Sequence, residues 1–217
     1  MKKILFFLVS VIIGIVVVFG YTQLSLHSNT NGKKQSVNSA TKFSLINPPS
    51  QSLRGTIASI SGEVAWQSRI ATEPAKISAP QMLQQGENIV TGDTGTVTVQ
   101  FTSSGTITLA PQTELDIIQT LPVNFVFAQN KGTATYSING TIPISIRSLH
   151  VLLSLQPGNI VITTDKQNSL VTAAVYTGSI QAAFNDIDYM SHVMTVTNGN
   201  TLIFHDDTRK PHIVPLL

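Results

Sequence analysis

The sequence predicts an all-β fold, a sandwich or roll of many short strands, preceded by one N-terminal transmembrane helix. Three observations carry this reading. From about residue 54 onward apolar residues recur at every second position, as half-buried strands require. Nearly every interval between such runs holds Gly, Pro, Asn or Asp, the residues of turns. No stretch after the opening apolar segment keeps a 3.6-residue period for three turns, which excludes packed helices.

The opening segment, Ile4 to Tyr21, is a charge-free apolar run directly behind Met1-Lys2-Lys3. A helix needs roughly 17 to 25 apolar residues to cross a bilayer, so the run is long enough to span. A cleaved secretory signal has a shorter apolar core and a small-x-small site, to which Val18-Phe19-Gly20 conforms poorly. The expectation is an uncleaved signal anchor at the cell membrane, single-pass, with the N-terminus cytoplasmic and the remainder extracytoplasmic. Residues 1–3 then form a cytoplasmic stub, 4–21 the transmembrane anchor, 22–53 a tether and 54–217 the β domain. The tether assignment follows from a Ser/Asn/Thr/Gln-rich composition with Pro48-Pro49 and no sustained apolar period.

Charge and cysteine content narrow the function. The chain has 13 Lys and Arg against 11 Asp and Glu, and two of the lysines precede the membrane run, leaving a neutral remainder. Without a basic stripe, nucleic acid is excluded as a partner. The absence of cysteine removes disulfides, thiolate catalysis and cysteine metal sites together.

Within the β domain the clearest alternation is Val97, Val99 and Phe101, followed by turn chemistry at Thr102-Ser103-Ser104-Gly105. Ile107 and Leu109 follow, then Leu115 and Ile117, so a meander of three strands with one shared core face is expected. Further units are Ala134/Tyr136/Ile138, Ile142/Ile144/Ile146, Leu149/Val151/Leu153/Leu155, Ile160/Ile162, Val171/Ala173/Val175, Ile180/Ala182/Phe184, Met194/Val196 and Leu202/Phe204.

One stretch resembles a known family. Gly62-Glu63-Val64-Ala65-Trp66 is followed by Leu83-Gln84-Gln85-Gly86-Glu87-Asn88-Ile89-Val90-Thr91-Gly92, by the Gly95–Phe101 alternation, by Ser104-Gly105-Thr106-Ile107 and by Pro111-Gln112-Thr113-Glu114-Leu115. This order resembles the FecR domain, with matching positions Gly62, Val64, Trp66, Leu83, Gly86, Ile89, Thr91, Gly92, Gly105 and Pro111. Thr177-Gly178-Ser179-Ile180 adds Gly178 as a later match, whereas Pro157-Gly158-Asn159-Ile160 departs from the family pattern. The resemblance implies an extracytoplasmic β module of the kind that passes an envelope signal to a sigma factor. With three residues ahead of the anchor, the direct cytoplasmic output of that family is not expected here.

Other constellations have structural readings beside the chemical ones. Asp93-Thr94-Gly95 matches the aspartic-protease triplet, but the family-like register places a turn there. Asn185-Asp186-Ile187-Asp188 with His192, and His205-Asp206-Asp207 with His212, carry metal-type side chains without a complete ligand spacing. Trp66 shares a strand face with Val64 and reads as core. Ser103-Ser104-Gly105 reads as a hairpin turn, and no Gly-x-Ser-x-Gly elbow is present. No catalytic, cofactor or metal residues are assigned, and no enzyme activity is expected. The leading expectation is a membrane-tethered binding or scaffold module for an envelope protein or cell-wall polymer. A signal-transduction component acting through a second membrane protein follows, and a hydrolase ranks last.

Overall fold

The computed structural model describes residues 52–216, which lie in a unit spanning Pro49–Leu217. The expected anchor at 4–21 and all of the tether but its last two residues lie outside the described residues. The last of these, Leu53, is held to Thr120: its N–H donates to the Thr120 carbonyl at 2.7 Å and its carbonyl accepts from the Thr120 hydroxyl at 2.6 Å.

The described chain is all-β. It runs through β1 (Gly55–Ser61), β2 (Val64–Gln67), β3 (Ala75–Lys76), β4 (Met82–Leu83), β5 (Asn88–Thr91), β6 (Thr96–Phe101), β7 (Gly105–Leu109) and β8 (Glu114–Leu121). The long β9 (Asn124–Ile138) follows. The second half comprises β10 (Ile144–Ser148), β11 (Val151–Leu155), β12 (Gly158–Asp165), β13 (Leu170–Thr177), β14 (Ser179–Asn185), β15 (Ser191–Thr197), β16 (Asn200–His205) and β17 (Lys210–Pro215).

These strands form two sheets that share β9. One sheet has the order β4-β1-β6-β7-β9-β12-β13-β16-β17. The other has the order β3-β2-β5-β8-β9-β10-β11-β14-β15, in which β9 and β10 are the one parallel pair. β9 belongs to the second sheet up to about Lys131 and to the first from Gly132 onward. The change of sheet is made possible by glycine: Gly132 has φ +83°, and a Cβ there would collide with Thr113 and the Gln112 carbonyl.

The bend at Gly132 interrupts the ladder, and buried Gln129 satisfies what it exposes. Its amide donates to the Gly132 carbonyl at 2.8 Å and the Ile162 carbonyl at 2.9 Å, and its oxygen accepts from the Tyr136 hydroxyl at 2.9 Å. Burial pushes the Tyr136 phenol far up from its ordinary value, so it stays protonated and remains a donor.

The period-two positions point inward as the pattern requires. Val97, Val99, Phe101, Ile107 and Leu109 are all buried, and one continuous core runs from Ile57 to Phe204. Its aromatic centre is Phe101, Phe125 and Phe127, with ring centroids 5.2 to 6.3 Å apart.

Two expectations are corrected. The three-strand meander stops after β7, because the chain changes sheet at Ala110–Thr113 and β8 pairs with β5 and β9. The Thr91 hydroxyl directs this crossing by donating to the Ala110 carbonyl at 2.6 Å and accepting from the Thr113 N–H at 2.8 Å. Leu149 was expected on a strand face, yet it occupies the β10–β11 turn with φ +48°.

The second half follows a repeat. Hairpins β10–β11, β12–β13, β14–β15 and β16–β17 alternate between the two sheets, and the chain passes between sheets at Pro157-Gly158, Gly178 and Asn198-Gly199. Gly158, Gly178 and Gly199 are 20 and 21 residues apart, and each hairpin turn after β12 opens with an aspartate: Asp165, Asp186 and Asp206. Each of the four turns also holds one non-glycine residue in the left-handed region, namely Leu149, Ser169, Tyr189 and Arg209, spaced twenty residues apart.

Candidate binding groove

The alternating hairpins place all four of these turns at one end of the second half, and two of the aspartates each hold a histidine there. Asp186 Oδ1 accepts from the N–H groups of Asp188 and Met190, both at 2.9 Å, which closes the β14–β15 turn. Its other oxygen lies 2.7 Å from Nε2 of His192. The hydrogen bond from His192, followed by that from the Met190 N–H, holds the Asp186 carboxyl below the usual carboxylate range. His192 also stacks on Phe184 with centroids 5.4 Å apart, so its ring is fixed on two sides and Nδ1 is left for another partner.

Asp206 performs the same service across a longer span. Its carboxylate lies 2.9 to 3.0 Å from Nδ1 of His150 and accepts from the His150 N–H at 3.0 Å. This ties the β16–β17 turn to the β10–β11 turn and leaves Nε2 of His150 free of that pair. Asp165 differs: it accepts from Asn168 and Gln167 within its own turn, and these bonds, led by the Asn168 side chain, hold its carboxyl below the ordinary range.

Between the two histidines lies a groove of about 510 Å³. Arg147 of β10 and Arg209 of the last turn line it with His150 and His192, and neither arginine is paired with a carboxylate among the described residues. The floor is apolar, from Leu149, Val151, Leu152, Ala183, Phe184 and Val193. Two fixed imidazoles and two unpaired guanidinium groups around an apolar floor suit a ligand or partner with anionic and apolar groups side by side. No group of three His, Asp or Glu side chains able to hold a metal exists among the described residues.

The positions singled out from sequence lie elsewhere. Val64, Leu83 and Ile89 are buried in the core, and Thr91 pins the crossing already described. Trp66 packs against the core, and its Nε1 donates to Glu87 at 3.0 Å. Gly62, Gly86, Gly92, Gly105 and Pro111 sit at turns and sheet crossings of the first half, while Gly178 lies at the β13–β14 crossing. At Gly178, φ is +84° and a Cβ would collide with the Pro157 carbonyl.

The chemical constellations separate likewise. Asp93 is exposed in the β5–β6 turn and accepts from Gln112 Nε2 at 2.9 Å. His205 and His212 face each other edge-on at 5.7 Å, while Asp206 is engaged by His150 instead. The Ser104 N–H donates to the Phe101 carbonyl at 3.0 Å inside the β6–β7 turn. Sequence reasoning placed Asp186, His192 and Asp206 near chemistry but missed Arg147, His150 and Arg209. The twenty-residue recurrence of turns was the signal that would have joined them.

No protein-family model and no curated protein matches the chain. Two crystal structures of a "putative anti-sigma factor" from Parabacteroides distasonis ATCC 8503 are similar in fold, each with a TM-score of 0.51, at 13% and 12% identity. Each match covers 59% of this chain and 59% of that one, so the chain spans under two thirds of their length. At such identities the likeness speaks for the fold alone. The described residues form a two-sheet all-β unit with this groove at the turn end of its second half.

Proposed function

We propose that this chain is a membrane-tethered extracytoplasmic binding module of FecR type, acting in an anti-sigma-type signalling system through a second membrane protein. The carrying observation is the groove, where side chains from three hairpins converge with unspent charge and apolar floor. The fold shared with two structures described as anti-sigma factors supports the signalling context, and the motif running from Gly62 to Leu115 supports the family. The module acts by recognition rather than catalysis: Asp93 serves a turn, and the aspartates beside the groove are engaged by turn amides or histidines.

The test places a photo-crosslinking residue in the full chain in cells, at Leu152 or Arg209 in the groove and at Glu73 on an exposed loop of the first half. The expected result is one discrete envelope adduct from the groove positions and none from position 73. Equal labelling from all three, or none from the groove, would contradict the proposal.

A further inference from the structure

The hairpin repeat adds its units by one rule. The first strand of a hairpin pairs antiparallel with the second strand of the hairpin two units earlier, as β14 does on β11 and β16 on β13. β15 is itself such a second strand, and among the described residues nothing pairs with its outer edge.

We propose that the outer edge of β15 accepts an extended segment of a partner protein, running antiparallel to it and carrying apolar residues at alternate positions. This rests on the reading of the unit as a binding module and specifies the surface it uses. The repeat supplies the occupant's geometry, since two equivalent edges in this chain are already covered by antiparallel strands with apolar residues facing the core: Ile180, Ala182 and Phe184 on β14, and Leu202 and Phe204 on β16.

The backbone of β15 is ready for such a strand. Asp186 N–H donates to the Met190 carbonyl and Asn198 N–H to the Gly178 carbonyl, which fixes the hydrogen-bonded pairs at both ends of the β14–β15 ladder. Pairs alternate in an antiparallel ladder, so the amides of His192, Met194 and Val196 face β14, while those of Ser191, Val193, Thr195 and Thr197 face outward.

The other sheet edges carry the devices that discourage pairing, and this one does not. β17 begins Lys210-Pro211 and ends at Pro215, and β3 and β4 are two residues long. Ser191 to Thr197 is seven residues with no proline, Lys, Arg, Asp or Glu. Its outward Val193 is 70% exposed and continues a cross-strand row from Leu152, itself 43% exposed, through Ala183. A partner residue beside Val193 extends that row, and one beside half-buried Met194 completes the inner one.

A second copy of the chain fits less well. Two-fold pairing of β15 about Met194 sets Val193 against Thr195 and His192 against Val196, so Met194 alone meets an apolar side chain, its own copy.

The test uses the full chain in detergent micelles, with a synthetic peptide copying Ser179–Asn185, the strand that β15 already accepts on its other edge. Residue-resolved hydrogen exchange is read with and without peptide. The peptide is expected to slow exchange at Val193 and Thr195 by about tenfold while leaving Met194 and Val196 unchanged. Thr195→Pro removes one outward donor and should abolish the effect, whereas Thr195→Val should retain it; Val193→Lys serves should the proline variant not fold. Protection elsewhere, undiminished binding to a folded Thr195→Pro chain, or outward amides already protected in a chain that sediments as a dimer would each overturn the proposal. Groove crosslinks that persist in Thr195→Pro locate an error in the edge assignment alone, whereas their absence from wild type removes the binding reading as well.

Discussion

The first half of the sandwich changes sheet at five of the eight connections from β1 to β9, whereas the second half changes only after each hairpin. This difference decides where polar side chains are spent. In the first half, crossings need local clamps: Thr91 holds Ala110 and Thr113, Glu87 accepts from Trp66 and Gln84, and Asn130 donates to Glu114 and Asp116. Its edges are two-residue strands. In the second half, glycine makes the crossings, and the turns project from one end with two arginines unpaired. One half is closed by its own hydrogen bonds, and the other leaves groups for a partner.

The largest effects are expected around the strand the halves share, where Phe125 and Phe127 of β9 pack on Phe101 of β6. Phe101→Ala empties the aromatic centre and should cost about 3 to 5 kcal/mol, while Gln100→Ala on the exposed side stays within about half a kcal/mol. Equal losses in denaturant melts would show that the two faces are misassigned. Gln129→Ala removes two amide hydrogen bonds to carbonyls at the bend of β9 and leaves the buried Tyr136 hydroxyl without its partner, for an expected loss of about 2 to 4 kcal/mol. A loss below about 1 kcal/mol would mean that the bend does not depend on that amide.

The turn end responds to acid in its own way. The Asp186 and Asp165 carboxyls are held below their ordinary value of 3.8, so the stability they contribute is present above that pH and is lost as pH falls through the lower folded values. Wild type should therefore lose thermal stability below about pH 4, and Asp186→Asn should flatten part of that loss. An unchanged acid limb in the variant would show that His192 and the turn amides do not favour the carboxylate. The smallest effect is expected at the left-handed turn positions. Ser169→Gly relieves a strained φ of +50° against greater freedom in the unfolded chain, for a net gain of up to about 1 kcal/mol. A clear loss would mean that Ser169 contributes contacts beyond its backbone geometry.

Local order was legible in the sequence because it depends on near neighbours. Alternation along Val97–Phe101 or Ile180–Phe184 shows which side faces the core, and the glycines show where turns fall. Pairing was not legible, since β11 meets β14 and β9 joins both sheets through contacts that no local period records. The groove was hidden for the same reason: His150 and Asp206 stand 56 residues apart. The turn repeat was disguised further, because Leu149, Ser169, Tyr189 and Arg209 share a backbone conformation and no side-chain chemistry.

Residue-resolved hydrogen exchange on the purified full chain tests most directly whether the second half is the open one. The account predicts slow exchange through β9 and β12, and an alternating pattern along β15 in which Met194 and Val196 are protected and Val193 and Thr195 exchange freely. Protection of Val193 and Thr195 equal to that of β9, with no partner added, would show that this edge is already covered and would contradict the account.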